Sequence, residues 1–343
     1  MGASLYVVGE TTAARIEDRG TTAWSTVSTV EHPGQAFSAT AVSTGRGARL
    51  YIAVAADEGS ILTLEDSGGV LSPIASTPSG GDLPCSLVVR DDLLAVADYR
   101  RGAVRIHRLT DGVPGDAIQT VLYEGGGPDG RRQDASHIHA VLATPGKLFS
   151  VDLGADRVHI HDWGLSGVVG RPADTTLPPG TGPRHAAVLT DEHLLTANEL
   201  DASLSLVRRS SGDTPGQTVA RLALPGSPSA GVRDYPSDVV VAGQHVFAAT
   251  RGADLITHIV RRGTELVVVD EHASGRWPMK LEVRGSRLYC AARDDDAVHA
   301  WDIDAETGRL SATRTTIAES PRPVWVGAAP SAALRRVDEK GIR

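Results

Sequence analysis

Short runs of alternating apolar and polar residues fill most of the chain, and polar turns separate them. Two runs joined by a turn recur as a unit, as in DLLAVADYRRGAVRIHRL from Asp92. Alternation with a period of two predicts β-strands, and a pair joined by a short polar turn predicts a hairpin. Such hairpins recur at intervals of roughly 40 to 55 residues, which indicates a repeat architecture. The seven hairpins begin near Ser4, Ala48, Asp92, Lys147, His193, His245 and Arg287.

Seven shorter alternating runs accompany the hairpins, and most of them open with a proline. They begin at Pro33, Pro84, Ser136, Pro183, Pro236, Pro278 and Pro321. A further strand after each hairpin, such as TVLYE at Thr120, completes four strands per unit. Four-stranded units arranged radially form a β-propeller, which leaves only short, protected sheet edges. The sequence therefore predicts an all-β, single-domain, seven-bladed β-propeller.

The two chain ends fit this count. The chain starts at a hairpin, and its last short strand has no hairpin after it. Residues 324–326 are therefore predicted to pair with the N-terminal hairpin and close the ring. The propeller would span residues 1–327, and residues 328–343 would form a loosely ordered C-terminal tail.

Composition narrows the class of partner. The net charge is −8 and no run rich in lysine or arginine stands out, which argues against nucleic acid as a partner. No apolar run approaches the roughly 20 residues that a membrane span needs. The N-terminus lacks the features of a secretory signal, and the only cysteines are Cys85 and Cys290, so we expect a cytoplasmic protein. We also expect a monomer or a weak homo-oligomer.

One face of the predicted propeller concentrates charged residues. The starts of the inner strands and the tips of the hairpins lie on the same face of such a ring, which we call the rim. Arginines, histidines and carboxylates on the rim predict a site for a small anionic substrate and for acid/base chemistry. The candidates are His137, His139, Arg184, His185, Glu199, Arg251 and Arg322.

The residue types leave several roles open. His137 and His139 alternate, so both are expected on the same side of one strand, either as hydrogen-bonded polar residues or as functional groups. A metal site is not expected, because no cysteine pair or HExxH motif supplies the further ligands that zinc needs. Arg184 directly precedes an apolar strand, where an arginine is expected to contact an anion or a carboxylate.

The sequence gives no support for a dinucleotide site or for a serine nucleophile elbow. GGGPDG, residues 125–130, matches G-x-G-x-x-G, but it contains Pro128 and leads into a strand rather than a helix. A dinucleotide site needs those glycines at the start of a helix, so this segment is a loop on the rim and no cofactor is expected. The nucleophile elbow G-x-S-x-G does not occur in the sequence.

The motifs RQDASHIHAV, DLGADRV, GPRH, NELDAS, YPSDVVV and TRGADLI occur in this order, and as a set they resemble the seven-bladed propeller lactonases. That family includes the bacterial propeller-type 6-phosphogluconolactonases and the fungal 3-carboxymuconate lactonising enzymes. The resemblance extends over nearly the whole chain up to Val326. It implies that His139 is the active-site histidine, that Arg184 and Arg251 are the family's two arginines, and that Glu199 is its acid.

Two positions depart from the family pattern. Many members have Pro-Arg in the sixth short strand, where this chain reads WPMK with Met279. Many have a histidine in the second short strand, where this chain reads PCSLVV around Ser86. Both positions lie on the predicted rim, so the chemistry is expected to persist while the substrate differs.

The resemblance implies a metal-independent lactonase that hydrolyses a sugar-acid lactone. His139 would be the general base, and Glu199 would orient it or favour its protonated form. Arg184 and Arg251 would bind the anionic substrate and stabilise the oxyanion. His137, His185 and Arg322 are expected to contribute to substrate binding. Two alternatives stay open, namely a cycloisomerase acting on a carboxymuconate and a non-catalytic propeller that binds a ligand or protein on the same rim.

Overall fold

The computed structural model describes residues 3–20, 24–45, 47–56, 58–210, 214–226 and 231–330. Over these residues the chain forms 28 β-strands and one 3₁₀ helix, Arg293–Asp295. The strands form seven four-stranded antiparallel sheets. In the described part of the chain, no helix has the length and apolar composition needed to cross a bilayer. The predicted all-β, seven-bladed propeller is confirmed.

The strands fall into blades in chain order. The chain opens with β1 (Ser4–Gly9), β2 (Thr12–Asp18) and β3 (Trp24–Glu31). Blade 1 contains β4 (Gln35–Thr44), β5 (Gly47–Ala55), β6 (Ser60–Ser67) and β7 (Val70–Pro78). Blade 2 contains β8 (Pro84–Arg90), β9 (Leu93–Asp98), β10 (Ala103–Thr110) and β11 (Val113–Leu122). Blade 3 contains β12 (Ile138–Thr144), β13 (Lys147–Asp152), β14 (Arg157–Gly164) and β15 (Gly167–Thr176).

The remaining blades repeat the same order. Blade 4 contains β16 (Pro183–Val188), β17 (His193–Asn198), β18 (Ser203–Arg208) and β19 (Gln217–Ala223). Blade 5 contains β20 (Tyr235–Ala242), β21 (His245–Arg251), β22 (Leu255–Arg262) and β23 (Glu265–Ala273). Blade 6 contains β24 (Pro278–Arg284), β25 (Arg287–Ala292), β26 (Ala297–Asp302) and β27 (Thr315–Glu319). The last strand, β28 (Pro323–Ala328), pairs with β1 and completes blade 7 with β1–β3.

The ring closes where the sequence predicted. Leu5 pairs with Ala328 and Val7 pairs with Val326 in antiparallel register. The Ala329 amide also donates to the Ser4 carbonyl oxygen at 3.0 Å. Residues 331–343 lie outside the described residues, so the loosely ordered tail stays a prediction, and β28 itself continues to Ala328.

Burial within a blade follows the position of each strand. The second strand is almost continuously apolar because neighbouring blades cover both faces of the sheet, and residues 50–54 of β5 are all buried. The outermost strands are mostly exposed or half-buried, as in β11. The cores lie between blades, and one of them joins Ala140 and Phe149 of blade 3 to Ala186 and Leu194 of blade 4.

Every inner strand carries a β-bulge at the same place near its start. In blade 3, for example, Ile138 pairs with Asp152 and Ala140 pairs with Val151, so His139 is the extra residue. A bulge changes the direction of the side chain at that point. The seven bulged positions are Phe37, Cys85, His139, Arg184, Ser237, Met279 and Val324. All seven residues line one cavity, so the repeated bulge places these side chains in its wall.

Candidate active site

The cavity lies among the inner strands and measures about 210 Å³. Inner strands of all seven blades contribute to its wall. The seven bulged residues form one layer of the wall. The residues immediately after the bulges form a second layer, with Ser38, Ser86, His185, Asp238, Lys280 and Trp325. We call this space the axial cavity.

Glu199 is the centre of an ion-pair cluster beside the axial cavity. Arg132 approaches one carboxylate oxygen, with Nη2 at 2.6 Å from Oε1. Arg184 and Arg251 approach the other oxygen, with Nε at 3.0 Å and Nη2 at 2.6 Å from Oε2. The Glu199 side chain is only 5% exposed. We call these four residues the arginine cluster, and it contains three of the four residues that the resemblance placed in the active site.

The fold fixes three members of the arginine cluster, namely Glu199, Arg184 and Arg251. Glu199 follows β17 at the hairpin tip, where its amide donates to the Gly182 carbonyl oxygen at 2.8 Å. Asp156 accepts hydrogen bonds from the Gly180 and Gly182 amides, which hold the loop that leads to Arg184. Arg251 ends β21, and its Nε donates to the Tyr235 carbonyl oxygen at 3.1 Å. The cluster is therefore held by backbone contacts from blades 3, 4 and 5.

Charge in the cluster is permanent at neutral pH. Burial raises the pKa of Glu199, but Arg251 and Arg184 outweigh burial and hold that pKa well below its ordinary range. Burial, assisted by Arg184, lowers the pKa of Arg251 to about 10. Burial also lowers the pKa of Arg132, but Glu199 raises it overall. The cluster therefore carries a surplus of two positive charges.

His139 lines the axial cavity beside this cluster and is half-buried. Burial and the neighbouring Arg184 hold the pKa of His139 well below its ordinary range, although Glu199 opposes them. The imidazole is therefore neutral near pH 7 and can accept a proton. Among the described residues no other residue forms a hydrogen bond to its ring, and the ring packs edge-on against Tyr99 with 5.6 Å between ring centroids.

His137 has a different environment. It lies one residue before β12, and the bulge at His139 interrupts the alternation that would place both rings on the same side. Its Nδ1 lies 3.0 Å from the Tyr99 carbonyl oxygen and its Nε2 lies 3.0 Å from Asp134 Oδ1. The ring also stacks on Tyr99 at 4.6 Å between centroids. Both ring nitrogens of His137 are thus occupied within the protein.

Asp152 anchors the segment that carries the two histidines. Its carboxylate accepts hydrogen bonds from the Ser136 hydroxyl at 2.6 Å and from the His137 amide at 2.8 Å. His159, on the third strand of the same blade, places Nε2 at 3.3 Å from Asp152 and Nδ1 at 2.7 Å from Asp174. His159 therefore helps to hold Asp152, which in turn fixes the start of the segment with His137 and His139.

A second buried carboxylate lies in the wall of the axial cavity. Asp238 Oδ1 lies 2.7 Å from His185 Nδ1, and Oδ2 accepts hydrogen bonds from Lys280 Nζ and the Leu281 amide, each at 2.8 Å. Burial raises the pKa of Asp238, but His185 and Lys280 hold it well below its ordinary range. We call His185, Asp238 and Lys280 the cavity triad.

Arg322, the remaining predicted substrate-binding residue, lies apart from these groups. Its Nε donates to Glu10 Oε2 at 2.8 Å, and its amide donates to Asp296 Oδ1 at 2.8 Å. It joins the hairpin tips of blades 6 and 7, and its side chain is 48% exposed. It does not line the axial cavity, and its role in substrate binding stays a prediction.

Comparison with known proteins identifies the family. The family model described as "Lactonase, 7-bladed beta-propeller" matches residues 14–328. The chain belongs to this family. The 6-phosphogluconolactonase of Pectobacterium carotovorum subsp. carotovorum (strain PC1) is 25% identical over 315 residues, which cover 87% of this chain and 89% of that protein. The 6-phosphogluconolactonase of Klebsiella pneumoniae (strain 342) is 25% identical over 239 residues, covering 67% of this chain and 69% of that protein.

Solved structures agree on the fold. A putative 6-phosphogluconolactonase from Bacteroides fragilis NCTC 9343 superposes with a TM-score of 0.81 at 19% identity, covering 95% of this chain and 97% of that one. The periplasmic gluconolactonase of Pseudomonas aeruginosa superposes with a TM-score of 0.79 at 18% identity, covering 96% of this chain and 100% of that one. Family membership and the sequence relatives make this chain a lactonase-type hydrolase.

Both departures from the family pattern lie in the wall of this lactonase's axial cavity. Met279 is the bulged residue of β24, and Ser86 follows the bulged residue of β8. The Ser86 hydroxyl accepts a hydrogen bond from the Val141 amide at 3.1 Å, so it joins blades 2 and 3. Burial raises the pKa of the neighbouring Cys85 thiol to about 12, which keeps it neutral.

The sequence did not identify every residue of the site. Arg132 follows the loop GGGPDG, and only the folded loop brings it to Glu199. Trp277, at the start of blade 6, lies with its ring 5.6 Å from the Arg251 guanidinium. Its positive φ of 57° marks an unusual backbone position, which a sequence pattern does not reveal. In the described ranges, no group of three or more His, Cys, Asp or Glu side chains is arranged to hold a metal ion.

Proposed function

We propose that this lactonase is 6-phosphogluconolactonase-like and hydrolyses an anionic sugar-acid lactone without a metal ion. The observation that carries the proposal is the arginine cluster, in which three arginines face one buried carboxylate beside a neutral histidine. The names of the sequence relatives support the substrate class.

The charge surplus of the cluster supports binding of an anion. Three guanidinium groups within 3.0 Å of one carboxylate leave two positive charges without a counter-charge. A phosphate or carboxylate on the substrate compensates this surplus, and guanidinium groups bind both in a bidentate manner. The Arg132 side chain is 33% exposed, so it is the member that meets the substrate first.

His139 supplies the base. A neutral imidazole accepts a proton from the attacking water as the oxygen–carbon bond forms, and such general-base assistance accelerates reactions by about 10² to 10⁴-fold. Burial and electrostatic repulsion by Arg184 lower the pKa of His139 and keep it neutral, while Glu199 stabilises the imidazolium that forms during the reaction.

Arg184 supplies oxyanion stabilisation. It lines the same cavity as His139, and its Nη1 donates to the Ser237 carbonyl oxygen, which limits its motion. A fixed donor near the developing negative charge contributes about 3 kcal/mol to the transition state. Arginine here provides the positive charge that a metal ion provides in many other hydrolases.

The test is a lactone panel with EDTA-treated enzyme. We expect 6-phosphoglucono-δ-lactone to be hydrolysed with a higher kcat/KM than the uncharged glucono-δ-lactone, and both faster than δ-valerolactone, which lacks the phosphate and the sugar hydroxyls. Acid release in a pH-stat, corrected for spontaneous opening, is the measurement. Arg132→Gln should remove most of the advantage of the phosphorylated substrate.

A surface arginine provides the matched control. Arg100 is on the same face but 67% exposed and 3.7 Å from Asp82, so Arg100→Gln should leave the order of substrates unchanged. Hydrolysis of no lactone above background would contradict the proposal. Turnover of a carboxymuconate in its place would favour the cycloisomerase, and loss of activity that only a metal ion restores would overturn metal independence.

A further inference from the structure

His185 forms an ion-pair contact with a buried carboxylate in the wall of the axial cavity. Its Nδ1 lies 2.7 Å from Asp238 Oδ1, and Asp238 is almost completely buried. Lys280 and the Leu281 amide hold the other carboxylate oxygen, so the carboxylate cannot turn away. Among the described residues Nε2 of His185 has no hydrogen-bond partner, and the side chain lines the axial cavity. A carboxylate that fixes one ring nitrogen presents the other to a substrate.

The two histidines of the axial cavity differ in their partners. No carboxylate lies within salt-bridge distance of His139 among the described residues, and Arg184 and burial favour its neutral form. His185 is bound directly to a carboxylate whose charge Lys280 helps to maintain. His139 thus lies near positive charge and His185 lies next to negative charge. Such a difference in surroundings indicates that the two histidines have different proton-transfer roles.

Lactone hydrolysis requires two proton transfers at different oxygens. A proton leaves the attacking water, and a proton must reach the ring oxygen as its bond to the carbonyl carbon breaks. An aliphatic alkoxide is a poor leaving group, so protonation of that oxygen accelerates the second step. The axial cavity, at about 210 Å³, is several times the roughly 30 Å³ that one water occupies in the liquid, and it accommodates a lactone ring.

We propose that His185, oriented by Asp238, is the general acid that protonates the departing ring oxygen. The inference rests on the proposed lactonase function. Water attacks the carbonyl carbon while His139 takes its proton, and the oxyanion forms near Arg184. The bond between the carbonyl carbon and the ring oxygen then breaks. His185 takes part as the imidazolium, with Nδ1–H facing Asp238, and its Nε2–H gives a proton to that oxygen. Proton exchange with solvent restores both histidines, so atoms and charge balance.

Asp238 is a positioning residue in this scheme. Its carboxylate is almost completely buried, with one oxygen against His185 and the other against Lys280 and the Leu281 amide, so it acts on the substrate through His185. Lys280 compensates its charge from the next blade. Three consecutive blades thus contribute one member each to the cavity triad, at equivalent positions after the bulges of β16, β20 and β24.

The test uses two lactones that differ in leaving group. Glucono-δ-lactone releases an alkoxide, and dihydrocoumarin releases a phenoxide, which leaves without protonation. His185→Gln should lower kcat for glucono-δ-lactone by about 10²-fold or more, the scale of general-acid loss, but kcat for dihydrocoumarin by less than about fivefold. His139→Gln should lower both rates, because both reactions need activated water.

Two further variants control for structure. His193 belongs to the same blade and begins β17 at its other end, so His193→Gln should leave both rates unchanged. The double variant Asp238→Asn with Lys280→Met removes the orienting charge without leaving a buried lysine unpaired, and it should reproduce the selective loss. Thermal melts establish that each variant is folded.

The wild-type enzyme gives a measurement that needs no variant. Across aryl and alkyl esters of one acid, its kcat should depend weakly on the pKa of the leaving alcohol, because His185 protonates the poorer leaving groups. A steep dependence, or equal losses for both lactones in His185→Gln, would overturn the general-acid role while leaving lactonase activity intact. Absence of hydrolysis of either lactone by the wild type would instead overturn the proposed function and this inference with it.

Discussion

Glu199 and Asp238 are both buried carboxylates, and their surroundings differ in one decisive respect. Three arginines contact Glu199, whereas one lysine, one histidine and one backbone amide contact Asp238. Cationic neighbours hold the pKa of each carboxyl well below its ordinary range. The arginine cluster thus has a net positive charge, whereas in the cavity triad the charge of Lys280 compensates that of Asp238.

This difference in net charge indicates different roles for the arginine cluster and the cavity triad. Surplus charge beside a half-exposed arginine attracts an anion from solvent, so the arginine cluster binds the charged end of a substrate. A balanced, buried group gains little from an added anion and serves instead to orient its neighbours. His139 interacts with both regions, since Glu199 acts on its pKa and its side chain lines the same cavity as the triad.

The largest effect is expected at His139, where the two regions meet. His139→Gln should lower kcat by about 10² to 10⁴-fold, because the attacking water loses its base. KM should change little, since Arg132 and Arg251 still bind the anion. Steady-state kinetics beside a thermal melt measure both. A folded, fully active variant would show that the base lies elsewhere.

Neutralising Glu199 and Asp238 in turn tests whether the two carboxylates have different roles. Glu199→Gln leaves three arginines without their counter-charge and should lower the free energy of unfolding by about 3 to 5 kcal/mol, the usual cost of breaking a buried ion pair. Asp238→Asn should destabilise similarly. Inorganic phosphate at millimolar concentration should raise the Tm of Glu199→Gln much more than that of Asp238→Asn, because Glu199→Gln increases the uncompensated charge of the arginine cluster from two to three and phosphate replaces the lost carboxylate. Equal responses to phosphate would contradict the assignment of separate tasks.

Acid should reveal both carboxylates at once. Each has a pKa in the folded protein below its unfolded value, which is about 4. Their contribution to stability is therefore complete above about pH 4 and is lost as the pH falls toward the folded pKa. Unfolding free energy should fall more steeply with acid below about pH 4 in the wild type than in Glu199→Gln or Asp238→Asn. Parallel pH profiles of stability in all three proteins would show that these groups do not titrate as described.

The sequence predicts some of these features and not others, for physical reasons. Strand alternation is local, so seven hairpins and the strand at residues 324–326 were enough to predict the blades and the closed ring. The resemblance supplied Glu199, Arg184 and Arg251, which the structure brings together. Arg132 was not identified because a loop, not a pattern, carries it to Glu199. The bulge at His139 depends on hydrogen-bond register between strands, which residue types do not determine.

A smaller effect is expected at the edge of the arginine cluster. Arg132→Gln should raise KM for an anionic lactone about tenfold, equivalent to about 1.4 kcal/mol of binding, with little change in kcat. Lys280→Met should leave the ratio of KM values for anionic and uncharged lactones unchanged, because Lys280 compensates Asp238 and contributes no surplus charge. KM for a charged and an uncharged lactone in each variant provides the measurement. If Lys280→Met changed the preference for the charged lactone and Arg132→Gln did not, the cavity triad rather than the arginine cluster would bind the anion.

The smallest effect is expected at His137, two residues before His139. Its ring nitrogens contact the Tyr99 carbonyl oxygen and Asp134, so its contacts stay within the protein. His137→Gln should therefore lower kcat by less than about tenfold, well below the loss expected for a general base, and should act mainly through KM by loosening Tyr99. The matched comparison is His139→Gln, measured with the same lactones and at the same pH. If the His137 variant were as inactive as the His139 variant while remaining folded, the bulge would not separate the two residues functionally. The active histidine would then have to be assigned again.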